Sequence, residues 1–192
     1  MYIGELLEEY IKLSEELRSG YEYSLGGKKP EWQKLIKNIY EDIPPLFYEI
    51  YSRWSGTIRN IENQKYMDFV PGYRLIHIEE LNKEYENLTQ LLELDDTCEE
   101  QMEIIIPFLA DCASSYICYV RTWSKNEYIY IYSIEEGLAC MHSSIKAFLD
   151  TIIAFYANGV YFLDKDGFLD YDYEQEGIIG MKYNNDIQYW CD

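Results

Sequence analysis

Residues 128–132, Tyr-Ile-Tyr-Ile-Tyr, alternate an aromatic with a β-branched residue at every step, and no other stretch constrains the fold so tightly. Side chains alternate between the two faces of a strand, so Tyr128, Tyr130 and Tyr132 must share one face while Ile129 and Ile131 share the other. The pattern sits in a longer strand-forming run, 103–137, which holds a short apolar segment at 104–109. Two β-branched and aromatic segments follow it, divided by the polar turn at 123–126. This composition predicts consecutive antiparallel strands. The isoleucine face is the expected core side. The tyrosine face is then either covered by a helix, with its hydroxyls buried, or open to a partner, and the sequence leaves both readings open.

Around this run the apolar spacing is helical. Ile3, Leu6, Leu7, Tyr10, Leu13 and Leu17 fall on one side of residues 3–18, with Glu8, Glu9, Glu15 and Glu16 mostly on the other. A loop is expected over 19–29, then a helix with Pro30 at its first position. A third helix opens at Pro44-Pro45, with Asp42 at the positive end of its dipole and Gly56 closing it in the left-handed conformation. Residues 67–70 and 73–76 read as extended about the Pro71-Gly72 turn, 78–92 as helix, and 93–101 as an acidic loop. Beyond the central strands, 137–141 adds one more, and Ser143 or Ser144 caps a helix reaching Tyr156. Residues 160–163 and 168–171 form a hairpin about Asp166-Gly167, before a weak helix at 174–181 and a closing Tyr189-Trp190. Helices, a meander of strands, then a helix indicate an α+β fold, an antiparallel (mixed) sheet flanked by helices. One domain spans 1–192, with 1–29 as an N-terminal helical extension and loop.

Charge narrows the partners. Sixteen basic against 35 acidic residues leave a net −19, spread as −8 over residues 1–96 and −11 over 97–192. Such a chain repels phosphate backbones and draws a basic protein partner, although solubility alone also accounts for an acidic surface. The five cysteines, Cys98, Cys112, Cys118, Cys140 and Cys191, form no regular framework and read as reduced thiols. The N-terminus carries glutamates where a signal peptide needs a basic and then an apolar segment, and no apolar stretch is long enough to span a bilayer. A cytoplasmic protein without membrane contact is expected.

Motifs for chemistry are sparse. The only histidines are His77 and His142. Cys140 and His142, two apart and so on one face of a regular strand, are the nearest approach to a catalytic dyad, against a reading as core cysteine and capping or surface histidine. Cys112, Cys118, Cys140 and His142 match no usual zinc spacing. The acidic run at 164–174 suggests calcium, but aligning Gly167 with the sixth position of an EF-hand loop puts Phe162 and Tyr173 where oxygen ligands are required. A solvated Asp-Gly hairpin is the better reading. No phosphate-cradling glycine motif is present. No catalytic residue, cofactor or metal is therefore called for.

The order of several short motifs resembles the SUKH superfamily in its Smi/Knr form. They are Pro45-Leu46-Phe47-Tyr48 leading to Trp54-Ser55-Gly56, then Phe69-Val70-Pro71 with Glu79-Glu80-Leu81, then Ile106-Pro107-Phe108 with Asp111. The serine-capped helix ending Phe148-Leu149, the Tyr161-x-x-Asp164-x-Asp166-Gly167 hairpin, Tyr183-Asn184-Asn185 and Tyr189-Trp190 are similar to bacterial members. The resemblance covers about residues 30 to 190. The chain departs from the family at Asp111-Cys112-Ala113-Ser114-Ser115, where members often have a glycine-aspartate pair, and at Thr57, in place of a second glycine. The resemblance implies a helix-covered antiparallel sheet and, for bacterial members, immunity: a cytosolic protein that neutralises a cognate toxin domain, often a nuclease. Related fungal proteins regulate cell-wall assembly by protein contacts.

Tyrosine, present 21 times, offers large contact area with a polar tip. The expected partner-binding residues are Tyr119, Trp123, Tyr128, Tyr130, Tyr132 and Asp111, an aromatic patch ringed by carboxylates that steer a basic toxin. A regulatory scaffold of the same fold is the alternative, and a hydrolase using carboxylates a remoter one.

Overall fold

A computed structural model describes residues 2–58, 61–93 and 102–191. The central run folds as read: β2 (Met102–Ala110), β3 (Tyr116–Thr122), β4 (Glu127–Ser133) and β5 (Gly137–His142) form an antiparallel meander. β1 (Arg74–Leu75) completes a five-stranded sheet in the order β1-β2-β3-β4-β5, pairing Leu75 with Leu109. Every pairing is antiparallel. The fold is therefore α+β, with a sheet that needs no parallel member.

Three helices stack on the isoleucine face. α1 (Ile3–Leu17), α4 (Pro45–Tyr51) and α6 (Ile145–Ala157) bring Leu7, Tyr10, Phe47, Ile50, Phe148 and Ile152 into one core with Ile106, Phe108, Ile117 and Ile129. Phe108 is the hinge of this packing, edge-on to Phe47 at 6.3 Å and to Phe148 at 5.6 Å. Each such fully buried aromatic is worth about 2 kcal/mol in apolar area alone. On the opposite face α5 (Leu81–Glu93) lies over β2, and Tyr116 Oη donates to Glu84 Oε2 at 2.9 Å. Both faces of β3 are thus covered, which is why residues 116–120 are buried without alternation.

The N-terminal segment contributes Leu6, Leu7, Tyr10, Ile11, Tyr21 and Leu25 to this core. α1 lies against α6, and Arg18, fully buried, ties three segments together. Its Nη1 donates to the carbonyls of Lys65 (3.2 Å) and Asp68 (2.7 Å), its Nη2 to Tyr156 Oη (2.6 Å), and its guanidinium lies 3.8 Å over the Tyr21 ring. Tyr21 reaches that position because 19–29 is not all loop: it contains α2 (Tyr21–Ser24).

Other boundaries moved for local reasons. Pro30 precedes α3 (Trp32–Lys37), whose N-cap is Glu31, whereas Pro45 does occupy the first position of α4. α4 already ends at Ser52, so Gly56 closes no helix. Its φ of +100° brings its backbone against Ile76 and His77, and any Cβ would collide with the Ile76 carbonyl. Residues 94–101, with the expected acidic loop and Cys98, lie outside the described residues.

Ser144 caps α6, its Oγ accepting from Ala147 N at 3.0 Å. The hairpin of β6 (Tyr161–Leu163) and β7 (Leu169–Tyr171) turns at Asp166-Gly167, where Asp164 Oδ1 accepts from the amides of Asp166 and Phe168, both at 2.9 Å. α7 (Tyr173–Tyr183) follows, capped by Asp172 and longer than its weak periodicity suggested. Gly180 of α7 has no room for a Cβ, because the Trp190 indole occupies that space. Trp190, in a 3₁₀ turn (Gln188–Trp190), donates from Nε1 to Met141 O at 2.7 Å and so covers the free edge of β5. No helix among the described residues is long and apolar enough to cross a membrane.

Candidate functional site

β5 decides where the reactive side chains go. Its register pairs Tyr130 with Cys140 but Ile129 with His142, leaving Met141 as the extra residue of a β-bulge. In a regular strand Cys140 and His142 would share a face; the bulge gives Cys140 the face of Tyr130 and His142 that of Ile129. The dyad geometry expected from their spacing is therefore lost. Cys140 lines a surface groove, and its thiol is 3.8 Å from the His142 carbonyl, while the imidazole enters the core.

There the ring packs against Phe148 at 5.3 Å and Trp190 at 5.4 Å between centroids. His142 Nδ1 lies 2.9 Å from Asn184 Oδ1. The other end of that amide donates to Thr151 Oγ1 and to Gly180 O, both at 3.0 Å, and the Thr151 hydroxyl is itself spent on Ala147 O at 2.7 Å. Asn184 must therefore present its oxygen to the ring, Nδ1 must carry the proton, and Nε2 must hold a lone pair. Burial pushes the imidazole down to about 3, so it is neutral at physiological pH. Nε2 is buried with no hydrogen-bond partner.

His142 forms part of the wall of a cavity of about 180 Å³ under α6, lined by Ile117, Ile131, Phe148, Ile152 and Phe155. Tyr161, Tyr171, Tyr189 and Glu176 are also among its lining residues. Burial raises the pKa of all three phenols, which are neutral. Burial likewise pushes the Glu176 carboxyl up to about 7, so it is close to half protonated at neutral pH.

Glu176 and Tyr189 also line a wider groove of about 840 Å³ on the outer side, between α7, β5 and residues 186–191. The groove presents Tyr173, Ile178 and Met181, which are 75%, 62% and 45% exposed, among Glu136, Glu174 and Asp186. No lysine or arginine is among the described residues that line it. The surrounding segment, 160–191, carries seven acidic against two basic residues.

The six residues expected to bind a partner do not form one patch. Tyr119 pairs with Ile129 and so points to the core, its ring 5.9 Å from Phe47 and its Oη donating to Glu127 Oε1 at 2.6 Å. Tyr132 shares a face with Tyr128 and Tyr130 but is buried. Tyr128 and Tyr130 remain half-buried, edge to face at 6.3 Å. Trp123 is exposed in the β3–β4 turn, at the opposite end of β3 from Asp111, and a seven-residue strand separates the two by about 23 Å. Asp111 accepts from the amides of Ala113 and Ser115, both at 2.7 Å, and so holds the β2–β3 loop.

The motif residues are mostly packing residues. Pro107 and Phe108 lie in β2, buried, and Trp54 donates from Nε1 to Glu22 Oε1 at 3.0 Å. Glu176, and the role of Asn184 in fixing the imidazole, had no sequence signal, because each depends on α7 docking beside a bulge. Exposed Tyr173 and Ile178 in the weakly periodic helix were the available clue to the groove. No protein-family model matches the chain, and no curated protein matches it.

Proposed function

We propose that this chain is a non-enzymatic protein-binding domain, an immunity protein that neutralises a cognate toxin by contact, with the toxin docking along the α7 groove. The observation that carries this reading is the groove itself: exposed Tyr173, Ile178 and Met181 set among carboxylates, with no lysine or arginine among the described residues that line it. Large apolar side chains concentrated on one rim are the usual mark of a protein contact, aromatic anchors supply affinity, and a ring of one charge sign steers the partner. A nuclease domain, basic because its substrate is a polyphosphate, is the partner such a surface fits. The resemblance of the ordered motifs to the SUKH superfamily supports immunity over other binding roles.

The half-exposed Tyr128–Tyr130 pair is the second candidate surface. A regulatory scaffold of the same fold would use the same groove without a toxin. A hydrolase would rely on Glu176, a groove carboxyl that burial pushes up to about 7. The neutral, weakly basic His142 makes a poor general base, which favours binding over catalysis.

The test is association of the purified chain with the basic C-terminal domain of a secreted protein encoded beside it. Binding should be tight at low salt, weaken steeply as salt rises, and be lost in Ile178→Glu. Failure to associate at low salt would sink the immunity reading.

A further inference from the structure

The cavity of about 180 Å³ under α6 has one wall of oxygen atoms and one of hydrocarbon. We infer that it is a binding site for a primary alkylammonium group. The N–H donors go to the Glu176 carboxylate and to the phenol oxygens of Tyr161, Tyr171 and Tyr189, and the alkyl part lies against Ile131 and Met141.

The carboxyl is within reach of a ligand. Glu176 makes no side-chain hydrogen bond or ion pair with any described residue. Among the described residues the sealed side-chain polar atoms without a partner are Ser14 Oγ, Arg18 Nε and His142 Nε2, so the half-buried Glu176 carboxyl is open to the space it lines. That space includes the cavity. Burial raises the pKa of Tyr161, Tyr171 and Tyr189, and the nearby Glu176 carboxylate raises each further. Tyr161 and Tyr171 line the cavity and not the outer groove, so the carboxylate is turned toward the cavity side. None of the three hydroxyls bonds to a described residue.

Charge and size name the ligand. No lysine or arginine is among the described residues of the lining, and its imidazole, His142, is neutral, so a carboxylate and three phenol oxygens converge without a cation. A buried carboxylate is costly unless it is paired, and a bound ammonium supplies the pair. A primary ammonium brings three donors to this set of acceptors. A quaternary ammonium has none to give, and a divalent cation takes about six oxygen ligands or more, whereas Glu176 is the one carboxylate of the described lining. An apolar cavity of about 150 Å³ holds a benzene ring, so this one takes an unbranched four-carbon chain with its nitrogen. Ile131 faces the core from β4 yet stays half-buried, as does Met141, and both offer that chain apolar surface.

A lysine side chain and a free amine both carry this group. The site needs only the cavity, Glu176 and the tyrosines, and stands whether or not a toxin docks in the groove outside.

The direct test titrates the wild-type chain with n-butylammonium, 1-butanol and tetramethylammonium. NMR follows the Glu176 side-chain carboxyl and the methyl signals of Ile131 and Met141. n-Butylammonium should move all of these signals. It should bind at least about tenfold more tightly than 1-butanol, which has the chain without the charge, and than tetramethylammonium, which has the charge without donors. In Glu176→Gln the preference over 1-butanol should vanish. Equal affinity of the wild-type chain for n-butylammonium and 1-butanol, or a preference retained in Glu176→Gln, overturns the assignment. The first comparison uses the wild-type chain alone, so instability of the Gln variant does not blunt it. Nα-acetyl-lysine methylamide then separates the sources. Binding as tight as that of n-butylammonium assigns the site to a lysine of a partner, and binding of n-butylammonium alone assigns it to a free amine.

Discussion

Arg18 and His142 are both fully buried polar side chains, each with one ring or guanidinium nitrogen that has no partner, Nε in one case and Nε2 in the other. Their surroundings make the difference. Arg18 is clamped between two main-chain carbonyls, the Tyr156 hydroxyl and the face of Tyr21, and joins α1 to α6 and to the 65–68 segment. His142 makes one side-chain hydrogen bond, to Asn184, and its ring packs against Phe148 and Trp190. An unmade hydrogen bond is a tolerated cost in both places, and the number of bonds each side chain does make decides what its loss costs.

The largest expected effect breaks the tighter of the two. Arg18→Leu strands two carbonyls and a tyrosine hydroxyl and should cost about 3 kcal/mol, seen as a lower urea midpoint. His142→Leu should cost less, about 1–2 kcal/mol, since only the Asn184 oxygen is stranded and the unpartnered nitrogen disappears. Equal losses would show that the two sites are energetically alike.

Acidification separates them next. His142 has its pKa depressed in the fold to about 3 from an ordinary 6.5, so its contribution is full above pH 6.5 and lost as pH falls toward 3. Near pH 5 the loss should reach about 2 kcal/mol, and His142→Leu should abolish it. Glu176 acts in the opposite sense. Its pKa is raised by burial from 4.5 to about 7, so its contribution is full below pH 4.5 and lost as pH rises through 7. Glu176→Gln should flatten the fall in stability between pH 5 and pH 8, and a slope unchanged by that substitution would place Glu176 in water. Arg18 has no titration in either window and its variant should keep both slopes.

The smallest effect on stability is expected at the groove. Tyr173→Ala and Ile178→Ala remove exposed side chains and should change the unfolding free energy by less than about 0.5 kcal/mol. Their effect on partner binding should be the larger one, about tenfold each, measured by titration calorimetry.

The two regions also differ in how far the sequence discloses them. The sheet was legible because alternation over 128–132 and its neighbours leaves few ways to pair, and Ile129 is where that alternation puts it, whereas Tyr119, expected in the aromatic patch, pairs with Ile129 and faces the core. The helices of the core were legible from apolar spacing. α2 was not, since one helical turn carries no periodicity, and Arg18 owes its burial to it. The candidate site was illegible for a different reason. One extra residue at Met141 reverses the facing of His142, and strand alternation by itself puts the imidazole beside Cys140. Asn184, Glu176 and Trp190 then meet the bulge only through the docking of α7, held close by the missing side chain of Gly180. Contacts of that kind follow from packing across long sequence separations and leave no local pattern.

The groove along α7 as the protein-docking surface is the central claim, and rescue of growth tests it most directly. Cells expressing the adjacent basic toxin domain would carry either the wild-type chain or Tyr173→Ala/Ile178→Glu, each shown to be folded by its urea midpoint. The account predicts that the wild-type chain restores growth and the groove variant, equally stable, does not. Restoration of growth by the groove variant to the wild-type level would contradict it.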